Sequence, residues 1–365
     1  MMNILFLTGN LQIGGTELYA LDYAKSMHQN GHTVFWASIK DGPMYNIANK
    51  DGIDLLHCSF EKRNLIYFLF ARGQLRKICK EKNIQIVHAI DAYTALVAVS
   101  AFKGQSQRPY LMWSSVGIGS KSYSIMRILC EHYLDCIIAP SHFIRNRMIE
   151  EKFTPEKIIV YSQSRKMKDF TGDRNALRRQ FGFGTSDFVI GTMGRVVPMK
   201  GNRTVINAMS VVVQRCKNVK LLIVGDGSDR NNLEEQVQKL GIQDNVIFAG
   251  FRTDIENMYA VFDMVAFPTY YEALGYIPFE AMYYKKPIVA SRTGGIPEII
   301  IDGYNGILAA PAVDQEWIDA ILAIVQDQRL YQMLRENGRK YYDANLAYDD
   351  AHCKLEKIYE NVLKM

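Results

Sequence analysis

The sequence predicts an α/β protein built from two Rossmann-like, doubly wound domains. Three observations carry this reading. Strand-length apolar runs alternate with helical patterns along nearly the whole chain, many strands end in glycine or a charged residue, and the alternation breaks near residue 165 and then restarts. At 365 residues the chain also exceeds one comfortable core. Hydrophobic residues at 48% and charged residues at 22% are ordinary globular composition and give no support for a disordered chain. The net charge of +5, without a basic motif, is too weak to argue for nucleic acid. Six cysteines without CxxC spacing fit a reducing cytosol better than a disulfide scaffold. No apolar run approaches the ~18 residues that span a bilayer, and the opening MMNILFLTG, lacking a basic leader, reads as the first strand.

Residues 3–8 form that strand, followed by Gly9-Asn10, the pair Gly14-Gly15 and a helical pattern over 18–28. Strand, glycine loop and helix are the wiring of a doubly wound sheet, with ligands expected beyond the strand's carboxyl end. Gly14 and Gly15 let backbone approach a phosphate or a sugar there, although a glycine pair is also simply a turn. A strand at 33–38, a helix near 44–51 and a short strand near 54–58 come next. The segment LIYFLFARGQLRKICKEKN then gives a helix with an apolar centre beside Arg63, Arg72, Arg76, Lys77 and Lys80. It reads either as a core-facing helix with a solvated basic side or as a peripheral contact with an anionic membrane. A buried strand at 85–89 ends in His88-Ala89-Ile90-Asp91, which puts His88 and Asp91 at the ligand edge; an end-of-strand histidine is equally at home in the core. The strand at 110–115 closes on the polar loop Ser114-Ser115-Val116-Gly117, and the one at 136–139 on Ser141, an N-cap for the next helix. A strand at 158–161 ends the first half.

Residues 162–179 are polar, basic and aperiodic, and are assigned as the linker. Beyond them come a strand at 188–192, a helix at 204–215, a strand at 220–224, a helix at 231–240, a strand at 246–249 and a short helix at 255–260. The run VAFPTYYEALGYIPFE, 265–280, is a buried strand, a loop carrying Glu272 and Gly275, and a helix opening near Pro278, where the missing amide is tolerated. A strand at 287–290, Gly294-Gly295-Ile296-Pro297-Glu298 and a last strand at 306–309 follow, then helix over 314–345 and again over 349–363.

Four strand ends in the second half gather chemistry: Gly194-Arg195 with Lys200-Gly201, Gly225-Asp226-Gly227, the stretch from Glu272 to Glu280, and Gly294-Gly295 with Glu298. Parallel strands end on one edge, so these distant segments meet there. Arg195 and Lys200 put two positive charges on one short loop, which is what a departing diphosphate needs as negative charge develops on it. The free amides of a helix start near Pro278 suit an anion. Glu272 and Glu280, on loop and helix, would flank it with acceptors for sugar hydroxyls. A nucleotide sugar has this chemistry.

These motifs together, Gly194 to Gly201, the spaced pair Glu272 and Glu280, Val224 to Gly227 and Gly294 to Glu298, resemble the retaining family-4 glycosyltransferases (glycosyl transferases group 1) of the GT-B fold. The resemblance covers nearly the whole chain and implies two facing Rossmann-like domains with the ligand cleft between them. It makes residues 1–165 the acceptor-binding domain, 166–345 the nucleotide-sugar-binding domain, and 346–365 a terminal helix crossing back to the first. By the same resemblance Arg195 and Lys200 neutralise the donor diphosphate, Glu280 accepts from the ribose, and Glu272 with the backbone of Ala273, Leu274, Gly275 and Tyr276 holds the sugar and phosphate. Phe251 and Arg252 border the base, Gly194 and Gly225 line the donor, and Gly14 and Gly15 approach it from the facing domain. His88 stands among the catalytic positions, with Asp91, Ser115 and Gly117 as acceptor contacts. Two departures stand out: Ile90 where the family often has the second histidine of a His-x-His pair, and YSQSRKMKDF over 161–170 where many relatives have an Asn-Gly-Val turn.

The implied reaction is sugar transfer with retention from a nucleotide-diphosphate sugar, UDP- or GDP-linked, to an acceptor hydroxyl, with no metal and no further cofactor. The acceptor is open: a sugar, a glycolipid intermediate at the inner face of the cytoplasmic membrane, or a soluble small molecule, in bacterial-type polysaccharide or glycolipid assembly. Two alternatives are open on the sequence alone, a sugar-nucleotide epimerase on the same scaffold and a nucleotide-sugar binder without turnover.

Overall fold

The computed structural model describes residues 1–11, 15–39, 42–115, 120–162 and 164–364. The chain divides into two compact units, Met1–Arg165 with Tyr348–Met365, and Lys166–Ala347. The first unit alternates β1 (Asn3–Leu7), α1 (Gly15–Gln29), β2 (Thr33–Ser38), α2 (Pro43–Lys50), β3 (Asp54–His57), α3 (Leu65–Glu81), β4 (Ile86–Ala89), α4 (Ala92–Phe102), β5 (Tyr110–Ser114), α5 (Ser120–Leu129), β6 (Cys136–Ala139), α6 (His142–Glu150) and β7 (Ile158–Val160). The second comprises α7 (Arg174–Gln180), β8 (Phe188–Met193), α8 (Asn202–Arg215), β9 (Val219–Val224), α9 (Arg230–Lys239), β10 (Val246–Gly250), α10 (Ile255–Val261), β11 (Met264–Phe267), α11 (Ile277–Tyr283), β12 (Ile288–Ser291), β13 (Ile307–Ala309), α12 (Asp314–Gln326) and α13 (Gln328–Asn345). Finally α14 (Tyr348–Leu363) joins the first unit.

Both sheets are parallel, ordered β3-β2-β1-β4-β5-β6-β7 and β10-β9-β8-β11-β12-β13. Strands covered by helices on both faces must be apolar along their length, and β1, β4 and β11 are buried almost throughout. Each order reverses once, between β1 and β4 and between β8 and β11. Connections run in opposite directions from such a point, so the loops beyond those strands part and leave a crevice at the carboxyl edge.

In the second unit one face of the sheet is packed by Val205, Met209, Trp317 and Ile321, and the other by Met258, Tyr259, Phe262, Phe279 and Met282. Rigid packing on both faces fixes the strand ends, and so fixes the loops that carry charge. The first unit is closed by α14, whose Tyr359 is fully buried.

Three local expectations change. The linker is shorter than residues 162–179, because Asp173 caps α7 through the Asn175 amide and Arg178, only 1% exposed, bonds the Val261 carbonyl and Asp263. The single helix expected over 314–345 is two, broken at Asp327, whose carboxylate accepts from the Arg329 and Leu330 amides and restarts the helix as an N-cap. Helix α5 lies in a segment where the sequence reading places no element. Among the described residues no helix is long and apolar enough to cross a membrane.

Candidate active site

The reversal point of the second sheet is where the charged loops converge. After β8 the chain makes a short turn, Pro198–Lys200, and leaves it through Gly201 at φ 66°. A Cβ there would lie 2.0 Å from the Pro268 carbonyl oxygen, so only glycine lets the loop after β8 lie against the loop after β11. One bond fastens that approach, the Tyr270 amide donating to the Met199 carbonyl at 2.9 Å; the Thr269 hydroxyl donates to the nearer Tyr271 carbonyl at 2.9 Å and lies 3.3 Å from the Met199 oxygen. Lys200 Nζ is thereby brought 2.6 Å from Glu272 Oε2. The loop after β12 packs behind: at Gly294, φ 58°, a Cβ would stand 1.8 Å from the Glu272 carbonyl oxygen, which accepts from the Gly295 amide at 3.2 Å. Glu272 is therefore held at its backbone by one neighbouring loop and at its carboxylate by another.

The Lys200 and Glu272 side chains are 23% and 19% exposed, and the ammonium lies 5.7 Å from the Phe267 ring centroid. An anion arriving here competes with Glu272 for Lys200, in surroundings less screening than open water. Arg195 is exposed and makes no side-chain hydrogen bond or ion pair with the described residues, so its charge is available to a ligand. Gly194, at φ 128°, has nothing within 4 Å of an added Cβ. Its neighbours are fixed, since the Gly194 amide bonds the Val224 carbonyl at 3.0 Å and the Gly225 amide bonds the Gly250 carbonyl at 2.8 Å. Those two bonds set the ends of β8, β9 and β10 side by side and place Phe251, 58% exposed, and Arg252, paired with Asp254 at 2.6 Å, on the same edge.

Glu280 lies one helical turn into α11, only 4% exposed, and its Oε2 accepts from the Tyr259 hydroxyl at 2.8 Å. Tyr259 stacks on Tyr284 at 4.8 Å between ring centroids. Ala273 and Leu274 turn their side chains into the fold, at 8% and 1% exposure, leaving backbone as what they can offer a ligand. Gly275, at φ 82°, has its Cβ position 3.0 Å from Glu272 Cγ, and Tyr276 precedes α11 as its N-cap residue. Neither the Lys200–Glu272 pair nor the Tyr259–Glu280 bond, spanning 72 and 21 residues, has a signal in sequence spacing.

The first unit treats its expected residues differently. His88 is 0% exposed, with Nδ1 2.5 Å from the Tyr359 hydroxyl, Nε2 2.8 Å from the Ser114 hydroxyl, and its ring against Phe6 and Tyr23. Burial pushes its pKa down from 6.5 to about 3. A neutral ring with both nitrogens engaged and no exposed edge cannot touch a substrate, so the expected catalytic place for His88 gives way to a core role joining β4 to α14. Asp91 accepts from the Gly9 amide at 2.8 Å and caps α4 through the Thr94 amide at 3.0 Å, tying together the loops at that sheet's reversal point. Ser115 is fully buried, 3.0 Å from the Tyr123 hydroxyl. Gly15 opens α1 and is exposed, while Gly14 and Gly117 lie outside the described residues. Among the described residues no cluster of His, Cys, Asp or Glu is arranged to hold a metal.

Two parallel, doubly wound units, one with cations and carboxylates at its reversal point, are the architecture of the GT-B fold. Residues 13–162 match Glycosyltransferase Family 4, and residues 173–341 match Glycosyl transferases group 1; the chain is a GT-B glycosyltransferase related to both families. It is 24% identical over 375 residues to an uncharacterized glycosyltransferase of Methanocaldococcus jannaschii, covering 97% of this chain and 96% of the relative. It is 23% identical over 365 residues to the N-acetyl-alpha-D-glucosaminyl L-malate synthase of Bacillus anthracis, covering 98% and 89%. Among solved structures, HepE of Anabaena in complex with UDP-glucose superposes with a TM-score of 0.87 at 23% identity, over 99% of this chain and all of that one.

Proposed function

We propose that the chain transfers a sugar from a nucleotide-diphosphate sugar to an acceptor hydroxyl, with retention at the anomeric carbon and without a metal. The observation that carries this reading is the Lys200–Glu272 pair at the reversal point of the second sheet, with Arg195 exposed on the same loop as Lys200. That HepE of Anabaena is solved with UDP-glucose supports a nucleotide sugar as donor.

In the proposed step the acceptor oxygen forms its bond to the anomeric carbon on the face from which the diphosphate leaves. The carbon–oxygen bond to phosphate breaks with its electron pair passing to the diphosphate, and a diphosphate oxygen takes the acceptor's proton. Charge grows on the leaving group, so cations fixed in advance beside it act on the transition state more than on the ground state. Lys200 and Arg195 are assigned that role, Glu272 the sugar and Glu280 the ribose. Gly194, Gly225 and the backbone of Ala273 to Tyr276 are assigned to the donor, with Phe251 and Arg252 beside the base. Polysaccharide or glycolipid assembly in the cytoplasm is the proposed setting, and the six free cysteines suit that reducing compartment.

Donor breakdown without acceptor tests the class. A transferase releases free sugar and nucleoside diphosphate slowly in the presence of EDTA, and the anomeric configuration of the glycoside formed once acceptor is supplied reads retention. A new sugar nucleotide instead of hydrolysis would make the chain an epimerase, and neither product a binder.

A further inference from the structure

Helix α3 does not bury its apolar centre. Leu65, Ile66, Leu69 and Phe70 are 72%, 64%, 50% and 65% exposed, while Ala71, Leu75 and Cys79 take the inward stripe. Helix α5 repeats the pattern, with Ile125, Ile128 and Leu129 at 52%, 67% and 49% and Tyr123 and Met126 buried. Both helices pack against α4, which is almost wholly covered. The crossovers that contain them all step the same way across the sheet, so right-handed connections lay all three helices on one face. Two exposed apolar stripes on the helices that flank α4 therefore belong to one side of the first unit. Scattered single hydrophobics on a surface are ordinary; grouped ones mark a contact.

Charge selects what it contacts. Residues 61–82 hold seven Lys and Arg against two Glu, a surplus of five that equals the formal net charge of the whole chain, so the remainder is balanced. Lys77 and Glu81, the i,i+4 pair on α3, are 74% and 58% exposed and take little of this charge out of solution. A second copy of the chain meeting this face about a two-fold axis would set the same cations opposite themselves. An anionic bilayer surface offers the reverse, since acyl chains accept the Leu65, Ile66, Leu69, Phe70 and α5 side chains while headgroups accept the Lys and Arg.

We propose that the α3–α5 face of the first unit docks on an anionic membrane surface, lying in the interface without crossing it. The inference goes beyond sugar transfer and does not depend on it, because donor hydrolysis in free solution reads the one and vesicle binding the other.

The test is co-sedimentation of the full chain with vesicles of phosphatidylcholine alone and of phosphatidylcholine mixed with phosphatidylglycerol, at about 0.05 and about 0.5 M salt. The full chain pellets with the mixed vesicles and roughly tenfold less with phosphatidylcholine alone or at the higher salt. Phe70→Glu and Ile128→Glu, both at exposed positions, each reduce pelleting by a similar factor while thermal midpoint and donor hydrolysis stay unchanged. Lys77→Glu with Lys80→Glu abolishes the preference for anionic lipid. Recovery of the full chain in the supernatant with every vesicle, or full binding by either single variant, overturns the proposal. So does a lipid-free dimer that Phe70→Glu dissociates, which would make this face a self-interface.

Discussion

Replacing Lys200 by alanine separates the roles of binding and chemistry at this site. Its ammonium stands 2.6 Å from Glu272, and both side chains are about a fifth exposed. Solvent screening limits the pair's share of folding stability to about 1 kcal/mol. The catalytic share is larger, because losing one prearranged group that meets developing negative charge costs about 10²- to 10³-fold in kcat, or about 3–4 kcal/mol. The substitution also leaves Glu272 facing the diphosphate without its cation, so Lys200→Ala with Glu272→Gln is the control that removes this repulsion. The assay is nucleoside diphosphate release over a range of donor concentrations, with calorimetric affinity for the free nucleoside diphosphate in the same buffer. The expected result is a kcat lower by about 10²- to 10³-fold with affinity changed less than about tenfold, and a double variant that recovers affinity but not turnover. An unchanged kcat at saturating donor, with the whole loss in affinity, would refute the leaving-group role and make Lys200 a uniform binding group.

Other expectations follow from the same packing. Gly294→Ala puts a Cβ 1.8 Å from the Glu272 carbonyl oxygen in a left-handed conformation that costs about 1–2 kcal/mol by itself, so turnover drops with the melting temperature, and wild-type activity would contradict the loop packing. Tyr259→Phe keeps the stacked ring but takes a donor from the buried Glu280 carboxylate; calorimetry should show nucleoside diphosphate affinity roughly tenfold weaker, and no change would remove Tyr259 from positioning Glu280. His88 is held neutral in the fold, with its pKa lowered from 6.5 to about 3. The unfolded chain therefore binds the extra proton first, and the stability from this group is complete above about pH 6.5 and falls by up to about 1.4 kcal/mol per unit as pH drops towards about 3. Urea titrations of His88→Gln should lack that slope, whereas an identical slope would mean the ring is not buried neutral.

The doubly wound order was legible because each strand is a short apolar run with a glycine or charge at its end, and Arg195 and Lys200 stood out for following one directly. What joins them to Glu272 was not legible, since it depends on Gly201 letting the Pro268 carbonyl approach and on Met199 accepting from the Tyr270 amide of the opposite loop. His88 looked chemical in the sequence because nothing local announces a Tyr359 that is 271 residues away. Helix α7 was hidden in a basic stretch whose Arg178 is buried by distant partners, and the break at Asp327 by helical residues on both sides. The apolar run of α3 was plain, but only the fold tells which of its side chains the core leaves uncovered.

The loops at the second sheet's reversal point are proposed to form a nucleoside diphosphate site. A thermal-shift titration with UDP, GDP, ADP and their sugar conjugates in EDTA, run beside Glu280→Ala and Lys200→Ala, reads that binding. A ligand that binds only the folded chain must raise its melting temperature. The expected result is a shift from one nucleotide series, weakened by Glu280→Ala even for the free nucleoside diphosphate and largely kept by Lys200→Ala. Equal shifts in all three proteins, or none from any nucleotide, would contradict it.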